Sequence, residues 1–403
     1  MALSAQREVT YRRTPRGATL YTCAWRSPSS PPTHAAALFL TGYNSYQSFN
    51  HDWLASHLLA HGIAPYGFDH HGFGRSTQAA EFKVPAAGPL DYALRSLHSL
   101  LCCHGRLAYI PRFSDLISDA VHIAGVVAAL EPGVPLFLIG ESMGGTLALE
   151  VVRELAARPS PPLPPPHLLL LAPMCSLGSS VAVSPLLQAV GAALACIAPL
   201  LPTPTLKDTT AMHVKSPERL REVLADPLRW QQRVRLGTAF ALKGATADAQ
   251  ARLPLYAPSS LLLLHCTADV MCPLKGTLAL LQASPCADRA LVEYEGALHT
   301  LWAEPVDTRR RLLRDVVAWI AARAPGVAQP GGALEAAGGG AGKEEAAPDL
   351  SRAAVALESA QGRFLHARRG EGGGAFADDS IFTALQHQPG RAYGARGAAS
   401  VEG

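Results

Sequence analysis

The chain has 403 residues, of which 48% are hydrophobic and 17% are charged, and its formal net charge is +3. This composition allows a large buried core, and an α/β fold of this length can form one domain. The small net charge, without a basic stripe carrying interleaved aromatic residues, argues against a nucleic-acid-binding protein. The eight cysteines show neither CxxC pairing nor the spacing of zinc ligands, so we expect reduced thiols and no metal site.

Strands and helices alternate along the chain. Strands are predicted at residues 18–25, 35–40, 63–68, 136–140, 167–171, 259–265 and 291–294, and helices at 49–61, 113–130, 143–158 and 316–322. The helix at 113–130 carries Leu116, Ala120, Ile123, Val127 and Leu130 at helical spacing. This alternation predicts an α/β protein with a mostly parallel sheet and helices on both faces.

Inserted segments divide this pattern into four predicted regions. They are a first core part at 1–172 with an extra insert at about 78–107, a cap or lid at 173–254, a second core part at 255–324, and a disordered tail at 325–403. The tail is predicted from its glycine- and alanine-rich composition, which leaves few large apolar side chains to bury.

The longest apolar stretch, residues 186–201, lies within the predicted cap. It is short for a bilayer crossing, and we expect it to wall an acyl chain and to allow peripheral membrane contact. Residues 1–7 lack the apolar core of a signal peptide. We therefore expect a cytoplasmic protein, although Arg12, Arg13 and Arg16 leave a transit peptide as an open alternative.

The segment around Ser142 carries the strongest signal. An apolar strand ends in Gly140-Glu141-Ser142-Met143-Gly144, and helix-forming residues follow at once. This is the strand–turn–helix context of a nucleophile elbow. Glycines tolerate the tight turn, and the free N–H groups at the start of the helix can stabilise a developing negative charge. The alternative is a glycine-rich turn in which Ser142 merely caps the helix.

Asp269 and His299 each follow a predicted strand near its carboxyl end, which is the ligand-binding edge of a parallel sheet. The chain order Ser142, Asp269, His299 is that of an α/β-hydrolase triad. A serine needs a base to become a nucleophile, an imidazole titrates near neutral pH, and a carboxylate orients the imidazole. Asp269 could instead bond its own turn, and His299 could be one of many uninvolved histidines.

Other residues compete for these roles. Asp69 with His70 and His71 follows another strand-like segment, but precedes the serine and would give the wrong chain order. His265 lies inside an apolar run and is interpreted as packed. Cys272 closely follows the Asp269 turn and could lie near the site, but it is interpreted as a packing residue.

Six sequence blocks together make the chain similar to the monoacylglycerol lipase-like group of α/β-hydrolases, which includes plant caffeoylshikimate esterases. The resemblance covers about residues 20–323, and the blocks are Leu40-Thr41-Gly42-Tyr43-Asn44, Phe68-Asp69-His70-His71-Gly72-Phe73-Gly74-Arg75-Ser76, the elbow, Leu171-Ala172-Pro173-Met174-Cys175, His265-Cys266-Thr267-Ala268-Asp269 and Tyr294-Glu295-Gly296-Ala297-Leu298-His299. The resemblance implies a serine esterase without cofactor or metal. Its expected substrate is a monoacylglycerol, a lysophospholipid or a related ester. A phenolic ester, or acyl transfer to an acceptor other than water, stays open as an alternative.

Carried over by position, the backbone N–H groups of Tyr43 and Met143 form the oxyanion hole. The family usually has histidine before the glycine of the first block, where this chain has Thr41. A well-placed oxyanion donor is typically worth ~10²–10³ in rate, so a disturbed loop would matter. The alternative function is therefore a weak or inactive α/β-hydrolase that serves as a ligand-binding or scaffold protein.

Overall fold

One mixed sheet forms the centre of the molecule. The computed structural model describes residues 5–47, 49–79, 107–161, 163–178, 184–203, 210–230 and 232–330. Within them the strands are β1 (Gln6–Arg13), β2 (Thr19–Arg26), β3 (Ala35–Leu40), β4 (Ile63–Phe68), β5 (Leu136–Glu141), β6 (His167–Leu171), β7 (Leu261–Cys266) and β8 (Arg289–Tyr294). Their order in the sheet is β1-β2-β4-β3-β5-β6-β7-β8. The pairings β1–β2 and β2–β4 are antiparallel, and all other pairings are parallel.

Helices connect the strands. In the described residues they are α1 (Phe49–Ala60), α2 (Phe113–Leu130), α3 (Met143–Ala156), α4 (Pro185–Ile197), α5 (Pro217–Ala225), α6 (Leu236–Ala251), α7 (Leu274–Ala283) and α8 (Val306–Ala321). Short 3₁₀ turns occupy Gly74–Gln78, Thr210–Met212, Leu253–Leu255 and Leu301–Ala303. Helices α4, α5 and α6 fall between β6 and β7 in the chain, inside the segment predicted to be a cap. That this segment acts as a cap stays a prediction.

The central strands are apolar because helices cover both faces of the sheet. Every residue of β3, β5 and β7 is buried, as expected for parallel strands inside a protein. Successive side chains of a strand point to opposite faces. Thus Leu38 belongs to the cluster that includes residues of α2 and α3, whereas Phe39 belongs to the cluster that includes residues of α1 and α8. The predicted α/β fold class is confirmed.

The strand register brings the loops that matter to one edge. In the parallel pairings Leu40 lies opposite Gly140, and Glu141 lies opposite Leu171. Toward the β8 edge of the sheet, Cys266 at the end of β7 pairs with Tyr294 at the end of β8. The loops after β3, β5, β7 and β8 therefore all leave the sheet at the same carboxyl edge.

Three details differ from the predicted elements. Strand β1 was not predicted, because its largely exposed edge position leaves no buried apolar pattern to detect. Helix α8 begins at Val306, ten residues before the predicted start at residue 316, since an arginine-rich first half masks its apolar face. Leu130 ends α2 51% exposed, although it stands at the same helical spacing as buried residues of that helix.

Helix α2 is long and apolar enough to cross a membrane by length and composition alone. Its buried side chains, such as Leu116 and Ala120, instead belong to the core cluster shared with α3. The predicted insert at 78–107 lies mostly outside the described residues, and so does almost all of the predicted tail.

The position of β3 in the core predicts the effect of truncating Leu38. Leu38→Ala should lower the free energy of unfolding by about 2–5 kcal/mol, because it removes buried methyl groups and leaves a cavity. Leu130→Ala, on a half-exposed side chain, should change stability by no more than about 0.5 kcal/mol. Urea unfolding followed by circular dichroism measures both, and equal midpoints for the two variants would contradict this placement.

Candidate active site

Ser142 lies at a strained turn between β5 and α3. Its φ of 54° and ψ of −117° place a non-glycine residue at positive φ, which occurs rarely and often marks function. The backbone around it is tightly held. The Ser142 N–H donates to Leu171 O at 2.9 Å, and the Ser142 carbonyl accepts from Met174 N at 3.0 Å. The structure therefore contains the strand–turn–helix geometry that the sequence predicts.

Glycines on both sides of the serine permit this turn. A Cβ atom at Gly140 would lie 2.5 Å from Gly144 O, and one at Gly144 would lie 2.0 Å from Leu40 O. Neither position has room for a side chain. The start of α3 can therefore approach both β5 and the end of β3.

Asp269 and His299 form a buried pair at the carboxyl edge of the sheet. The His299 Nδ1–H donates to Asp269 Oδ2 at 2.6 Å. The other carboxylate oxygen accepts the backbone N–H groups of Met271 at 2.8 Å and Cys272 at 3.0 Å. Burial by itself would raise the pKa of Asp269. The His299 hydrogen bond and charge, with the backbone donors, outweigh that effect and lower the pKa below its ordinary value.

The loop that carries His299 is held from two directions. The Leu298 N–H donates to the buried carboxylate of Glu304 at 2.7 Å. The His299 ring packs edge-on against the ring of His213, with 5.3 Å between the ring centres. His213 comes from the segment between β6 and β7, so this segment contributes to the surroundings of the imidazole.

The side chain of Ser142 points toward the sulfur atom of Cys272. Its Oγ lies 4.0 Å from the Sγ of Cys272, and in the described part of the chain no hydrogen bond joins Ser142 to His299. The structure thus brings Asp269 and His299 together and places Cys272 beside the serine. Cys272 is packed as predicted, and it also lies near the site, which the sequence had left as an alternative. Burial raises the pKa of the Cys272 thiol, which keeps it protonated and a poor nucleophile.

The loop after β3, residues 41–47, lies beside Ser142. A Cβ atom at Gly42 would be 3.3 Å from the Ser142 Cβ. Within the described ranges, neither the Tyr43 nor the Met143 N–H has a hydrogen-bond acceptor, and the first N–H groups of a helix have no partner inside it. The Tyr43 ring packs against Phe73. We call residues 41–47 the oxyanion loop, after the role predicted for it.

The competing residues Asp69 and His70 support this loop. The buried Asp69 carboxylate accepts the N–H groups of Gln47 at 2.7 Å and Arg75 at 2.8 Å. The His70 Nε2–H donates to Thr41 O at 3.2 Å. Both side chains are therefore used by the backbone around the loop, which accords with their exclusion from the triad on chain order.

His265 is packed, as the apolar run predicts. It is fully buried, its Nε2–H donates to Cys272 O at 2.9 Å, and its Nδ1 accepts from the Thr277 hydroxyl at 2.8 Å. Burial lowers the pKa of His265 to about 4, so the ring stays neutral at physiological pH.

Glu141 was missed by the sequence reasoning. It is buried directly before the nucleophile, and burial raises its pKa to about 7, with the nearby charge of His299 acting in the opposite direction. The only signal in the sequence was an acidic residue at the end of an otherwise apolar strand. Among the described residues, no group of three histidine, cysteine or carboxylate side chains is arranged to hold a metal ion.

Comparisons with known proteins agree with this architecture. Residues 31–306 match the family described as serine aminopeptidase, S33. The monoacylglycerol lipase of Mycolicibacterium smegmatis is 30% identical over 268 residues, which cover 65% of this chain and 86% of that protein. The monoglyceride lipase of Rattus norvegicus is 24% identical over 302 residues, covering 75% of this chain and 86% of that protein.

Solved structures show the same fold. A soluble variant of monoglyceride lipase from Saccharomyces cerevisiae, in complex with a substrate analog, aligns with a TM-score of 0.59 at 18% identity and covers 79% of this chain and 96% of that one. The monoacylglycerol lipase of Paleococcus ferrophilus aligns with a TM-score of 0.56 at 18% identity, covering 75% and 98% respectively. With its elbow, its parallel sheet and its match over residues 31–306, the chain belongs to the serine aminopeptidase S33 family of α/β-hydrolases, in the monoacylglycerol lipase-like group.

Proposed function

We propose that this chain is a serine hydrolase that cleaves carboxylic esters of lipids through an acyl-enzyme. The observation that carries the proposal is the buried Asp269–His299 pair, with 2.6 Å between Oδ2 and Nδ1, at the sheet edge that also carries the elbow of Ser142. A carboxylate bonded to Nδ1 leaves Nε2 of the same ring as the basic nitrogen.

In this mechanism Ser142 attacks the ester carbonyl carbon, and its proton passes to His299 Nε2. To do so Oγ turns from Cys272 toward the imidazole, since catalytic hydrogen bonds often tighten only when substrate binds. The C–O bond to the alcohol then breaks, and His299 returns the proton to the leaving oxygen. Water attacks the acyl-enzyme in the same way and releases the fatty acid.

The N–H groups of Tyr43 and Met143 are proposed to hold the oxyanion. Two observations support this role: neither N–H has an acceptor among the described residues, and Gly42 lies close to Ser142. Because both donors are backbone groups, the change from histidine to Thr41 does not remove either of them. Asp269, ionised through the mildly acidic range because of its lowered pKa, stabilises the imidazolium that forms in each half-reaction.

The proposed substrates are monoacylglycerols, lysophospholipids or related esters. The lipase names of the relatives support this class. Helix α4 supplies a second argument, because it exposes an apolar stripe of Leu186, Val190, Leu194 and Ile197. Such a stripe on a helix can lie in a lipid interface, so we propose that α4 makes peripheral membrane contact. A cytoplasmic location is proposed with it, since Cys196 on this exposed surface is a free thiol.

One observation favours the alternative of a catalytically weak ligand-binding protein. Ser142 Oγ contacts Cys272 and forms no hydrogen bond with His299 in the described residues. Labelling of the serine separates the two functions, because only an activated serine reacts rapidly with an electrophilic phosphonate.

Replacing the nucleophile tests the mechanism. Ser142→Ala should abolish labelling by a fluorophosphonate probe and reduce ester turnover by up to ~10⁶-fold. Ser56→Ala is the control, because Ser56 lies on α1 and bonds only its own helix through Asp52 O. Labelling is read by mass spectrometry of the modified peptide. A Ser142→Ala enzyme that cleaves esters at the original rate contradicts the proposed mechanism, and an unlabelled wild type supports the ligand-binding alternative.

Asp269→Asn should lower kcat by ~10⁴, because an amide donates to Nδ1 and holds the wrong tautomer of His299. Asp288→Asn is the matched control, since Asp288 pairs with Arg323 away from the triad. Steady-state kinetics with a soluble short-chain ester gives the comparison. A fall of the same size in the Asp288 variant would mean that carboxylate loss acts through folding.

The stripe on α4 predicts a difference between soluble and membrane substrates. The double variant Leu186→Gln/Ile197→Gln should bind phosphatidylcholine vesicles more weakly and hydrolyse long-chain monoacylglycerol in them more slowly, because about 0.8 kcal/mol is lost for each CH₂ no longer buried in lipid. Its activity on a soluble short-chain ester should not change. Leu130→Gln is the control, because it makes the same change at an exposed apolar residue outside α4. If the double variant sediments with vesicles as well as the wild type does, α4 is not the membrane contact.

A further inference from the structure

The oxyanion loop makes its most specific contacts with a distant part of the chain. Three hydrogen bonds join its middle residues to residues 226–230, which lie between α5 and α6. This region was expected only to form part of a cap. The inference drawn from these contacts rests on the proposed ester hydrolysis, because it concerns the same oxyanion hole.

Asn44 forms a two-point contact with the backbone of Trp230. Its Nδ2 donates to Trp230 O at 2.9 Å, and its Oδ1 accepts from Trp230 N at 2.9 Å. Asn44 has a φ of 58°, a left-handed conformation that asparagine tolerates better than most residues. The Asn44 side chain thus pairs with both the backbone N–H and the backbone carbonyl of Trp230, so the two residues hold each other in one relative position.

Tyr46 forms the second contact. Its buried hydroxyl donates to Asp226 Oδ2, and the other oxygen of that carboxylate accepts the N–H of Leu228 at 2.9 Å. The Arg75 guanidinium lies over the Tyr46 ring, 5.2 Å from its centre. Tyr46 therefore fixes the loop to a carboxylate that is itself ordered by a turn.

Between its ends the loop has few other hydrogen bonds to described residues. The Ser45 N–H donates to Gly42 O at 3.2 Å, and the Thr41 hydroxyl donates to Ser45 O at 3.4 Å, both long for their type. Asp69 holds the far end of the loop at Gln47. The stretch that carries the Tyr43 N–H is therefore held by the packing of the Tyr43 ring against Phe73 and by the hydrogen bonds of its neighbours to residues 226–230.

Residues 226–230 are firmly anchored at Trp230. The Arg235 guanidinium lies 4.5 Å from the Trp230 ring centre and donates to Leu200 O at 3.0 Å. Earlier in the same segment between β6 and β7, the Lys215 ammonium donates to Gly296 O at 2.8 Å, three residues before His299. The segment between β6 and β7 thus contacts the loops of both the oxyanion donor and the base.

We propose that Asn44 and Tyr46 are positioning residues that couple the oxyanion loop to residues 226–230. The Tyr43 N–H is held at the oxyanion position while these residues are docked, and it moves away when they separate. The coupling acts in the transition state, where the oxyanion carries its charge, so its loss lowers kcat and leaves KM nearly unchanged.

Two substitutions test the coupling with little risk to folding. Tyr46→Phe removes only the hydroxyl, and Asn44→Gly removes the side chain while accepting the positive φ. The matched control is Tyr66→Phe, which deletes an equally buried hydroxyl bonded to a carboxylate, that of Glu131 at 2.5 Å, outside the loop. Each protein is compared in kcat and KM on a soluble short-chain ester and in the rate of fluorophosphonate labelling.

We expect kcat and the labelling rate to fall about 10-fold in each loop variant and by up to ~10²–10³ in the double variant, the value of one oxyanion donor. KM should change less than about 2-fold, as uniform binding is untouched. Tyr66→Phe should keep the original kcat. A fall confined to KM, an unchanged kcat in both loop variants, or an equal fall in Tyr66→Phe would overturn the coupling.

Hydrogen exchange separates this inference from the proposed function. Amides in the peptide covering residues 41–47 should exchange faster in Asn44→Gly and Tyr46→Phe than in the wild type, and at the original rate in Tyr66→Phe. This result is expected even from a protein that hydrolyses no ester. Failure of wild-type labelling with altered exchange would reject only the hydrolase, whereas unchanged exchange in both loop variants would reject the coupling.

Discussion

The backbone conformation of Ser142 is the constraint on which the site depends. A non-glycine residue at positive φ costs of order 1–3 kcal/mol, and here it persists because β6 and the start of α3 hold both sides of the peptide. The Ser142 carbonyl oxygen accepts hydrogen bonds from the N–H groups of both Gly145 and Met174, each at 3.0 Å. Relaxing the turn would break these bonds, so the serine stays at the tip of the elbow.

This constraint also explains the spacing of the neighbouring loops. The close approach of Gly144 to the end of β3 brings the start of α3 beside Gly42, so the loop after β3 and the start of α3 both present backbone N–H groups near Ser142. A larger residue at position 144 would push the helix away from β3 and separate those donors. The proposed oxyanion hole would thus depend on helix–sheet packing as much as on the loop itself.

Two carboxyl groups near the imidazole have opposite pKa shifts. Asp269 accepts three hydrogen bonds, and these lower its pKa although it is buried. The Glu141 carboxyl has no hydrogen bond in the described residues, and burial raises its pKa to about 7. The pKa of Glu141 is thus higher in the folded than in the unfolded chain. Its contribution to the stability of the folded state is complete below the unfolded pKa and is lost as the pH rises toward about 7. Asp269 is therefore the carboxylate that stays charged, because backbone N–H groups donate hydrogen bonds to it.

Much of this arrangement could be predicted because it is local in sequence. The apolar runs of β3, β5 and β7 identify buried strands, and the glycines around Ser142 identify the elbow within five residues. Asp269 and His299 could be predicted because each follows its strand within a few positions. Parallel strands then bring these loops to one edge without any knowledge of the side-chain packing.

The remaining features depend on contacts that no local pattern encodes. Asn44 and Trp230 are 186 residues apart, and neither belongs to a periodic apolar segment that would indicate a partner. The contact of Cys272 with Ser142 depends on how the turn after β7 bends, which the two backbone N–H groups on Asp269 determine. Strand β1 was missed for a related reason, since pairing at an exposed edge uses backbone groups and imposes no apolar pattern on the side chains. Burial produces an apolar pattern that can be recognised in the sequence, whereas a hydrogen bond between a side chain and a distant backbone group produces almost none. The contacts that support the oxyanion loop can therefore be identified only in the folded chain.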